Sequence, residues 1–117
     1  MRNLDDCIFC RIASGQLPAT FEYEDERIVA FRDLNPQAPV HVLVIPRQHY
    51  GSIHDVPTRD SAIVGELTEA ARRIAERLGV WPGGYRLVFN TGPDGGQTVG
   101  HLHMHLLGGR QMVWPPG

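Results

Sequence analysis

An alternation of histidine with apolar residues, in the stretch GHLHMHLLGG at positions 100–109, constrains this chain more than any other feature. Successive side chains of a β-strand point to opposite faces, so the histidines should share one face and the apolar residues the other. The pattern predicts a strand with one face in a core and the other at a site, the alternative being a solvated face that happens to carry histidine. The histidines are His101, His103 and His105, and the apolar residues are Leu102, Met104 and Leu106.

Length and charge limit what that site can serve. The chain has 117 residues, 42% of them hydrophobic, which predicts one domain with its own core. Its net charge of −2 argues against a general nucleic-acid surface and against a basic membrane patch. All eleven basic residues are arginine, so the chain offers neither a Schiff-base lysine nor the lysine of a P-loop.

The beginning of the chain, MRNLDDCIFC, has acids where a signal peptide needs an uninterrupted apolar core. No apolar run approaches the length that spans a membrane. A cytoplasmic location is the default expectation.

Glycine and proline divide the chain into short segments, which predict an α+β domain. The segment CIFCRIASG is typical of a short helix that stops at Gly15, and FEYED, RIVAFRDL and VHVLVIP are typical of strands. Apolar residues then recur every three or four positions over 57–80, which predicts one long helix capped by Thr58 and ended by Gly79. YRLVFN and the histidine segment supply two more strands. The expected fold has two layers, a five-stranded, mostly antiparallel sheet with one long helix and a short N-terminal helix.

The loop before the histidines, GPDGGQTVG, has four glycines in nine residues. Glycine lets successive backbone N–H groups converge on one anion, so the loop resembles a phosphate cradle. A flexible hairpin loop is the alternative.

Two chemistries suit this histidine face. Histidines at alternate strand positions can bind a catalytic zinc or iron ion, with a further histidine or a carboxylate completing the site. Alternatively, one neutral imidazole attacks phosphorus to form a phosphohistidine while its neighbour gives a proton to the leaving group. The adjacent glycine loop favours the second chemistry.

At this point the chain resembles a known family. HLHMHLL fits the His-φ-His-φ-His-φ-φ signature of histidine triad (HIT) proteins, where φ is an apolar residue. RDLNPQAPVHVLVIPRQH, DGGQTVGH and the terminal GGRQMVWPPG are similar to the Hint branch, the nucleoside phosphoramidases. The resemblance extends from Cys7 to Gly117 and implies a single HIT domain over residues 1–117, with residues 108–117 as a C-terminal tail.

The resemblance implies an adenosine 5'-monophosphoramidase-like hydrolase that cleaves purine nucleoside phosphoramidates or acyl-nucleotides, with AMP or GMP as the nucleotide. His103 would attack the α-phosphorus and form a nucleotidyl-histidine that water then cleaves. His105 would lie against the same phosphate, His41 would complete the site, and His101 would support the nucleophile from behind.

The resemblance also implies the substrate contacts. Asp33 would accept hydrogen bonds from the ribose hydroxyls, and Asn90, Gly96 and Thr98 would hold the phosphate and the leaving group. Many relatives have serine where this chain has Thr98, whose extra methyl group narrows the leaving-group side. Six apolar residues match the pocket for the base, with ordinary core positions as the alternative. They are Ile8, Phe9, Ile12, Phe31, Leu34 and Leu43.

The segment CIFC places Cys7 and Cys10 at the spacing of metal ligands, and His49 follows later. With His101 they form a Cys₂His₂ set of the kind that binds structural zinc, as in some bacterial relatives. Two inert thiols or a thioredoxin-type redox pair are the alternatives, and the redox pair lacks the βαβ pattern that accompanies it. No catalytic metal is expected.

The tail carries Trp114 between Val113 and two prolines. Without the resemblance, this tryptophan would be expected to fold back over the core of its own domain. The resemblance implies instead a homodimer, in which the tail runs along the interface and Trp114 shapes the leaving-group side of the partner's site. A nucleotide-binding or scaffold protein with only incidental hydrolysis remains the alternative function.

Overall fold

Five strands form one open sheet in the computed structural model, which describes residues 6–117. They are β1 (Phe21–Glu24), β2 (Ile28–Arg32), β3 (Val40–Pro46), β4 (Tyr85–Val88) and β5 (Met104–Gly108). Their order across the sheet is β1-β2-β3-β5-β4, and every neighbouring pair is antiparallel. Two helices accompany them, α1 (Ile8–Ala13) and α2 (Ala62–Arg77). The predicted α+β fold is confirmed.

The strands β2 and β3 have continuous apolar sequences because both of their faces are covered. Alternate residues enter two separate clusters. Ile28 and Val44 point into the cluster beneath α2, whereas Phe31 and Leu43 point into the cluster beneath α1.

Helix α2 packs on one face of the sheet through its three- and four-residue apolar repeat. Ile63, Leu67 and Ile74 are buried there. Gly79, just beyond the helix, has a φ of +76°, the left-handed conformation that ends many helices. The prediction that Gly79 ends this helix is confirmed.

The prediction that Thr58 caps α2 is wrong. Thr58 instead begins a separate 3₁₀ turn, Thr58–Asp60, and α2 starts at Ala62. The Ser61 N–H donates to the Thr58 carbonyl at 3.1 Å, and the backbone of Ser61 is already helical. The chain therefore enters α2 from a turn and not from an extended capping residue.

Helix α1 lies on the opposite face of the sheet, where Phe9, Ile12 and Ala13 are buried. A helix of six residues is too short to be stable alone, so these contacts hold it in place. Gly15 follows with a φ of +84°, in agreement with the predicted stop. The side of the sheet that carries the histidines is thus partly covered by α1.

The histidine strand begins later than its alternation predicts. Strand β5 starts at Met104, so His101 and His103 lie in the preceding segment. The Leu102 N–H donates to the Tyr50 carbonyl at 2.7 Å, a bond outside the sheet that takes this segment away from the ladder with β3. The alternation of faces persists: the apolar side chains enter the cluster beneath α2, and the histidines face the other way. That part of the prediction is confirmed.

The predicted domain covers residues 1–117, and the structure describes residues 6–117 of it. Positions 1–5 lie outside the described residues. After Gly108, the described chain forms neither helix nor strand. Within residues 6–117, no helix is long and apolar enough to cross a membrane.

Candidate functional site

A cavity of about 280 Å³ opens between α1 and the sheet face that carries the histidines. All six apolar residues predicted for the base pocket line it, together with Asp33, Thr98, His103 and His105. Four of the six are buried and so also form core, namely Phe9, Ile12, Phe31 and Leu43, whereas Ile8 and Leu34 are exposed. The core and pocket interpretations therefore both hold for the buried members.

Four further residues line this cavity and were not predicted from the sequence. Pro18, Ala19 and Val99 are small or isolated apolar residues within loops, and Arg32 ends β2 beside Asp33. None of these positions belongs to a periodic pattern. The place of the three loop residues in the cavity depends on how their loops fold, which a periodic pattern does not predict.

Hydrogen bonding fixes the tautomer of His103. Its Nδ1 lies 2.7 Å from the backbone carbonyl oxygen of His101. A carbonyl only accepts, so Nδ1 carries a proton and donates it. In the neutral ring, Nε2 then keeps its lone pair, as a nucleophile requires. His103 is buried within the protein yet lines the cavity.

The Nε2 atom of His105 is in the opposite state to that of His103: it carries a proton. The Gln37 N–H donates to Nδ1 of His41 at 3.0 Å, so the His41 proton sits on Nε2 and is donated to Nδ1 of His105 at 2.9 Å. Nε2 of neutral His105 is therefore a donor. The rings of His103 and His105 lie 5.1 Å apart between centroids. The site thus places a lone pair and an N–H donor side by side.

The register of the sheet explains why His41 reaches this pair. Leu43 of β3 lies opposite His105 of β5, and His41 is two residues from Leu43 on the same face. The Asp33 carboxylate lies 3.5 Å from Nε2 of His41 and accepts a 2.8 Å hydrogen bond from the Asn35 N–H. A chain of polar groups therefore runs from Asp33 through His41 to His105.

Burial keeps the imidazoles of His41 and His105 neutral. Burial, followed by the neighbouring His103 and His41, lowers the pKa of His105 to about 4, and Asp33 opposes that shift. Burial also lowers the pKa of His41, again against the influence of Asp33. The contact between His41 and Asp33 is therefore one of a neutral imidazole with a carboxylate near neutral pH, and not an ion pair.

This neutrality predicts a pH dependence of stability. The ordinary pKa of histidine is about 6.5, so between that value and about 4 the unfolded chain binds a proton at His105 that the folded protein does not. We expect the free energy of unfolding to fall as the pH falls through this window. Thermal unfolding across the window should show a shallower loss in His105→Gln than in the wild type. Equal slopes in the two proteins would contradict a neutral His105.

The side chains Asp33, His41 and His105 also carry ligand-type atoms within 4.8 Å of one another. The hydrogen bonds account for this arrangement without a metal ion. The His41 lone pair on Nδ1 already accepts from the Gln37 N–H, and only its protonated Nε2 faces the other two residues. A catalytic metal at this position would need a different arrangement of His41.

Gln97 holds the glycine loop in shape and was not predicted from the sequence. Its Nε2 donates to the carbonyls of Gly51 at 2.7 Å and Val99 at 2.9 Å, and its Oε1 accepts from the Gly92 N–H at 3.0 Å. These three bonds to backbone groups tie the loop to Gly51 and restrict its conformation. A long amide side chain among glycines is the one sequence signal for this role.

Two of the predicted phosphate contacts, Gly96 and Thr98, belong to this loop, and Asn90 lies just before it. Thr98 reaches the 280 Å³ cavity. Asn90 donates to the Gly95 carbonyl at 2.8 Å and lines a second cavity of about 290 Å³ that also includes His105. Gly96 has a φ of +79°, and a Cβ on Gly95 would lie 2.3 Å from a backbone oxygen of the loop. The Gly96 N–H donates within the loop. Both glycines are therefore required by loop geometry, whether or not a phosphate binds there.

The four predicted metal ligands converge. The ligand atoms of Cys7, Cys10, His49 and His101 all lie within 4.8 Å of one another. Cys7 Sγ is 3.3 Å from Nδ1 of His101, Cys10 Sγ is 3.3 Å from Nδ1 of His49, and the two Nδ1 atoms are 3.1 Å apart. Both cysteines are thiols and not members of a disulfide.

The donor chemistry of this cluster fits zinc. Nε2 of His101 donates a hydrogen bond to the Pro46 carbonyl at 2.9 Å. The lone pair of the neutral ring is therefore on Nδ1, the atom that faces the thiols. An imidazole held by a backbone carbonyl behind a Cys₂His₂ set is the arrangement that structural zinc sites use. His101 thus contributes its ring to the cluster and its carbonyl to His103.

The tail extends away from its own core. Arg86 donates to the Val113 carbonyl at 2.8 Å, and beyond this point Trp114 is 82% exposed. The expectation made without the family resemblance, that Trp114 covers the core of its own domain, is therefore wrong. Among the described residues, those that line the 280 Å³ cavity do not include Trp114.

The HIT domain family matches residues 14–112 of the chain. The 14 kDa zinc-binding protein of Zea mays is 48% identical over 121 residues, which cover 100% of this chain and 94% of that protein. An uncharacterized HIT-like protein of Synechococcus elongatus is 50% identical over 113 residues, with 97% and 98% covered. The chain belongs to the histidine triad, or HIT, family.

Solved structures agree with this assignment. A histidine triad protein from Clostridium difficile has a TM-score of 0.92 at 46% identity, with 97% of each chain covered. A HIT family hydrolase from Legionella pneumophila has a TM-score of 0.92 at 52% identity, covering 95% of this chain and 99% of that one. A zinc-bound histidine triad family protein from Mycobacterium smegmatis has a TM-score of 0.79 at 33% identity, covering 92% and 78%.

Proposed function

We propose that the protein hydrolyses purine nucleoside phosphoramidates or acyl-nucleotides, such as adenosine phosphoramidate, through a nucleotidyl intermediate on His103. One observation carries the proposal: the lone pair on Nε2 of His103 lies at an apolar cavity beside the N–H donor of His105. The solved structure from Legionella pneumophila that resembles this chain is a HIT family hydrolase, which supports the reaction class.

The cavity supports recognition of a nucleoside. Its apolar residues offer a surface for a flat purine, and Asp33 at its edge offers carboxylate oxygens to the ribose hydroxyls. With the base and ribose bound in this way, the α-phosphate would lie near His103 and His105. AMP and GMP are the nucleotides proposed to bind.

The first step forms a bond between Nε2 of His103 and phosphorus and breaks the bond from phosphorus to the leaving amine or acid. The attacking ring gains positive charge, and its Nδ1–H already donates to the His101 carbonyl, which stabilises that charge. Water then cleaves the nucleotidyl-histidine, releasing AMP and restoring the free imidazole.

His105 supports the transfer of protons and charge. Its Nε2–H can donate to a phosphate oxygen or to the leaving group, and His41 accompanies it through the 2.9 Å bond to Nδ1. Protons balance over the two steps: Nε2–H of His105 gives its proton to the departing amine in the first step, and the water that cleaves the nucleotidyl-histidine returns a proton to His105 in the second.

We further propose that Cys7, Cys10, His49 and His101 hold a structural zinc ion, and that the reaction uses no catalytic metal. The convergence of two thiols and two imidazoles supports the zinc. The maize relative is a zinc-binding protein, and the resembling mycobacterial structure contains zinc.

Hydrolysis of adenosine phosphoramidate tests the function. We expect the purified protein to release AMP and ammonia with multiple turnovers, and a brief treatment with a chelator that leaves the structural zinc in place should not change the initial rate. Binding of AMP without turnover would favour the scaffold alternative. Immediate loss of activity on chelation, with the zinc retained, would favour a catalytic metal.

The C-terminal tail is proposed to act across a homodimer. We expect sedimentation to give the mass of a dimer, and a truncation ending at Gly109 to stay folded and bind AMP but to discriminate differently between two phosphoramidates with different amines. The exposure of Trp114 supports this proposal, since the described residues 6–117 leave 82% of it uncovered. A monomer, or unchanged kinetics on both substrates after truncation, would contradict it.

A further inference from the structure

The zinc cluster and the nucleotide cavity share helix α1. Cys7 and Cys10, at the start of this helix, are members of the cluster, whereas Ile8, Phe9 and Ile12 line the cavity. The six-residue helix has little stability of its own, so its position depends on what holds it to the sheet. A metal ion bound by Cys7 and Cys10 together with two histidines would tie the first turn of α1 to the sheet.

The far end of α1 has a different attachment. Arg47 donates to the Ala13 carbonyl at 2.8 Å, and Ala13 is buried against the sheet. This contact does not involve the metal cluster. Loss of the metal would therefore remove one attachment of the first turn of α1 and leave that turn held by the packing of Phe9, while the last turn keeps its bond from Arg47.

A second path joins the cluster to His103. The His101 ring belongs to the cluster, and the carbonyl of the same residue accepts the Nδ1–H of His103 at 2.7 Å. A shift of the His101 backbone on metal loss would move this carbonyl, and the His103 ring that donates to it would turn with it.

Phe9 connects both paths. Its ring packs edge-on against His101 at 5.9 Å, His103 at 5.2 Å and Phe31 at 5.4 Å between centroids. It is buried, lines the nucleotide cavity and lies between the two cysteines in the sequence. One side chain therefore touches a metal ligand, the proposed nucleophile and the wall of the pocket for the base.

From these contacts we infer that zinc binding and nucleotide binding are positively linked through α1, with Phe9 as the positioning residue that couples them. This inference rests on the proposed function, since it requires the cavity to bind a nucleotide. Zinc holds the first turn of α1 where the pocket for the base is complete. By thermodynamic reciprocity, a bound nucleotide must then raise the affinity for zinc by the same factor.

The test measures both directions of the linkage in the full chain. We expect zinc-loaded protein to bind AMP about fivefold or more tightly than zinc-free protein whose fold is confirmed by circular dichroism. Competition with a chelator should show zinc affinity raised by the same factor in saturating AMP. Phe9→Ala should retain zinc and lose most of this factor, and Phe9→Leu, which keeps much of the volume, should retain more of it.

The matched control is Phe21→Ala. Phe21 also packs against Phe31, at 6.5 Å between centroids, but its ring contacts include neither His101 nor His103. This variant should keep the wild-type coupling factor. If zinc-free protein bound AMP more weakly only because it is destabilised or partly unfolded, the coupling factor would persist in Phe9→Ala.

Three results would overturn the inference. Equal AMP affinities of folded zinc-loaded and zinc-free protein would show that the sites are independent. A coupling factor that is unchanged in Phe9→Ala would remove Phe9 from the path. Failure of zinc-loaded protein to bind any purine nucleotide would remove the proposed function itself, and the linkage with it.

Discussion

Replacing His103 by alanine is expected to lower the rate of hydrolysis by roughly 10³-fold or more while AMP still binds. The nucleophile acts chiefly in the transition state, whereas the contacts proposed for the base and ribose lie on other residues. Steady-state kinetics with adenosine phosphoramidate and a separate titration with AMP would measure the two effects. The AMP affinity should stay within a few-fold of the wild type.

Two further variants make this result specific. His105→Ala should reduce the rate less completely, because His105 moves charge and protons but does not form the bond to phosphorus. His54→Ala removes an exposed histidine outside the site and should leave the rate unchanged. Turnover close to the wild type in His103→Ala would contradict the nucleophile, and equal abolition in His103→Ala and His105→Ala would leave their distinct roles without support.

Loss of the zinc ion is expected to lower the melting temperature by about 10 °C or more. The proposed ion has four ligands from three chain segments that are distant in sequence, so its binding free energy adds to folding. The double variant Cys7→Ser and Cys10→Ser, or prolonged chelation of the wild type, should produce the shift. Metal analysis of the purified wild type should find about one zinc per chain.

A matched comparison separates metal loss from other effects of the chelator. The double cysteine variant has already lost two ligands, so prolonged chelation should not lower its melting temperature further. Carefully prepared wild-type protein without zinc, or with an unchanged melting temperature after zinc is removed, would contradict a structural zinc. Catalysis by zinc-free protein would not contradict a structural zinc, because the proposed reaction uses no metal.

Much of the fold follows from periodicity. The three- and four-residue repeat of α2 and the continuous apolar runs of β2 and β3 correctly predict a helix on a sheet. These patterns are strong because burial imposes them on many consecutive residues. The boundaries are less well predicted: at Thr58 a local turn competes with the helix, and at His101 a hydrogen bond from the next residue to Tyr50 replaces the ladder.

The sequence predicts the members of the site better than their hydrogen-bonding states. The family resemblance and the Cys-x-x-Cys spacing point to side chains that the structure brings together around the cavity and in the metal cluster, and their roles stay predictions. The tautomers of His41 and His101 depend on backbone groups of Gln37 and Pro46, whose positions only the folded chain determines. The same limitation applies to Gln97, which fixes the glycine loop through carbonyls of distant residues.

The covalent intermediate is the most direct test of the central claim. Zinc-loaded protein would be mixed with adenosine phosphoramidate, quenched within the first turnover under conditions that preserve phosphohistidine, and digested for mass spectrometry. The account predicts a peptide that carries one adenylyl group on His103, absent from His103→Ala and lost as AMP is released. Rapid turnover with no adduct at any time, or with the adenylyl group on another residue, would contradict it.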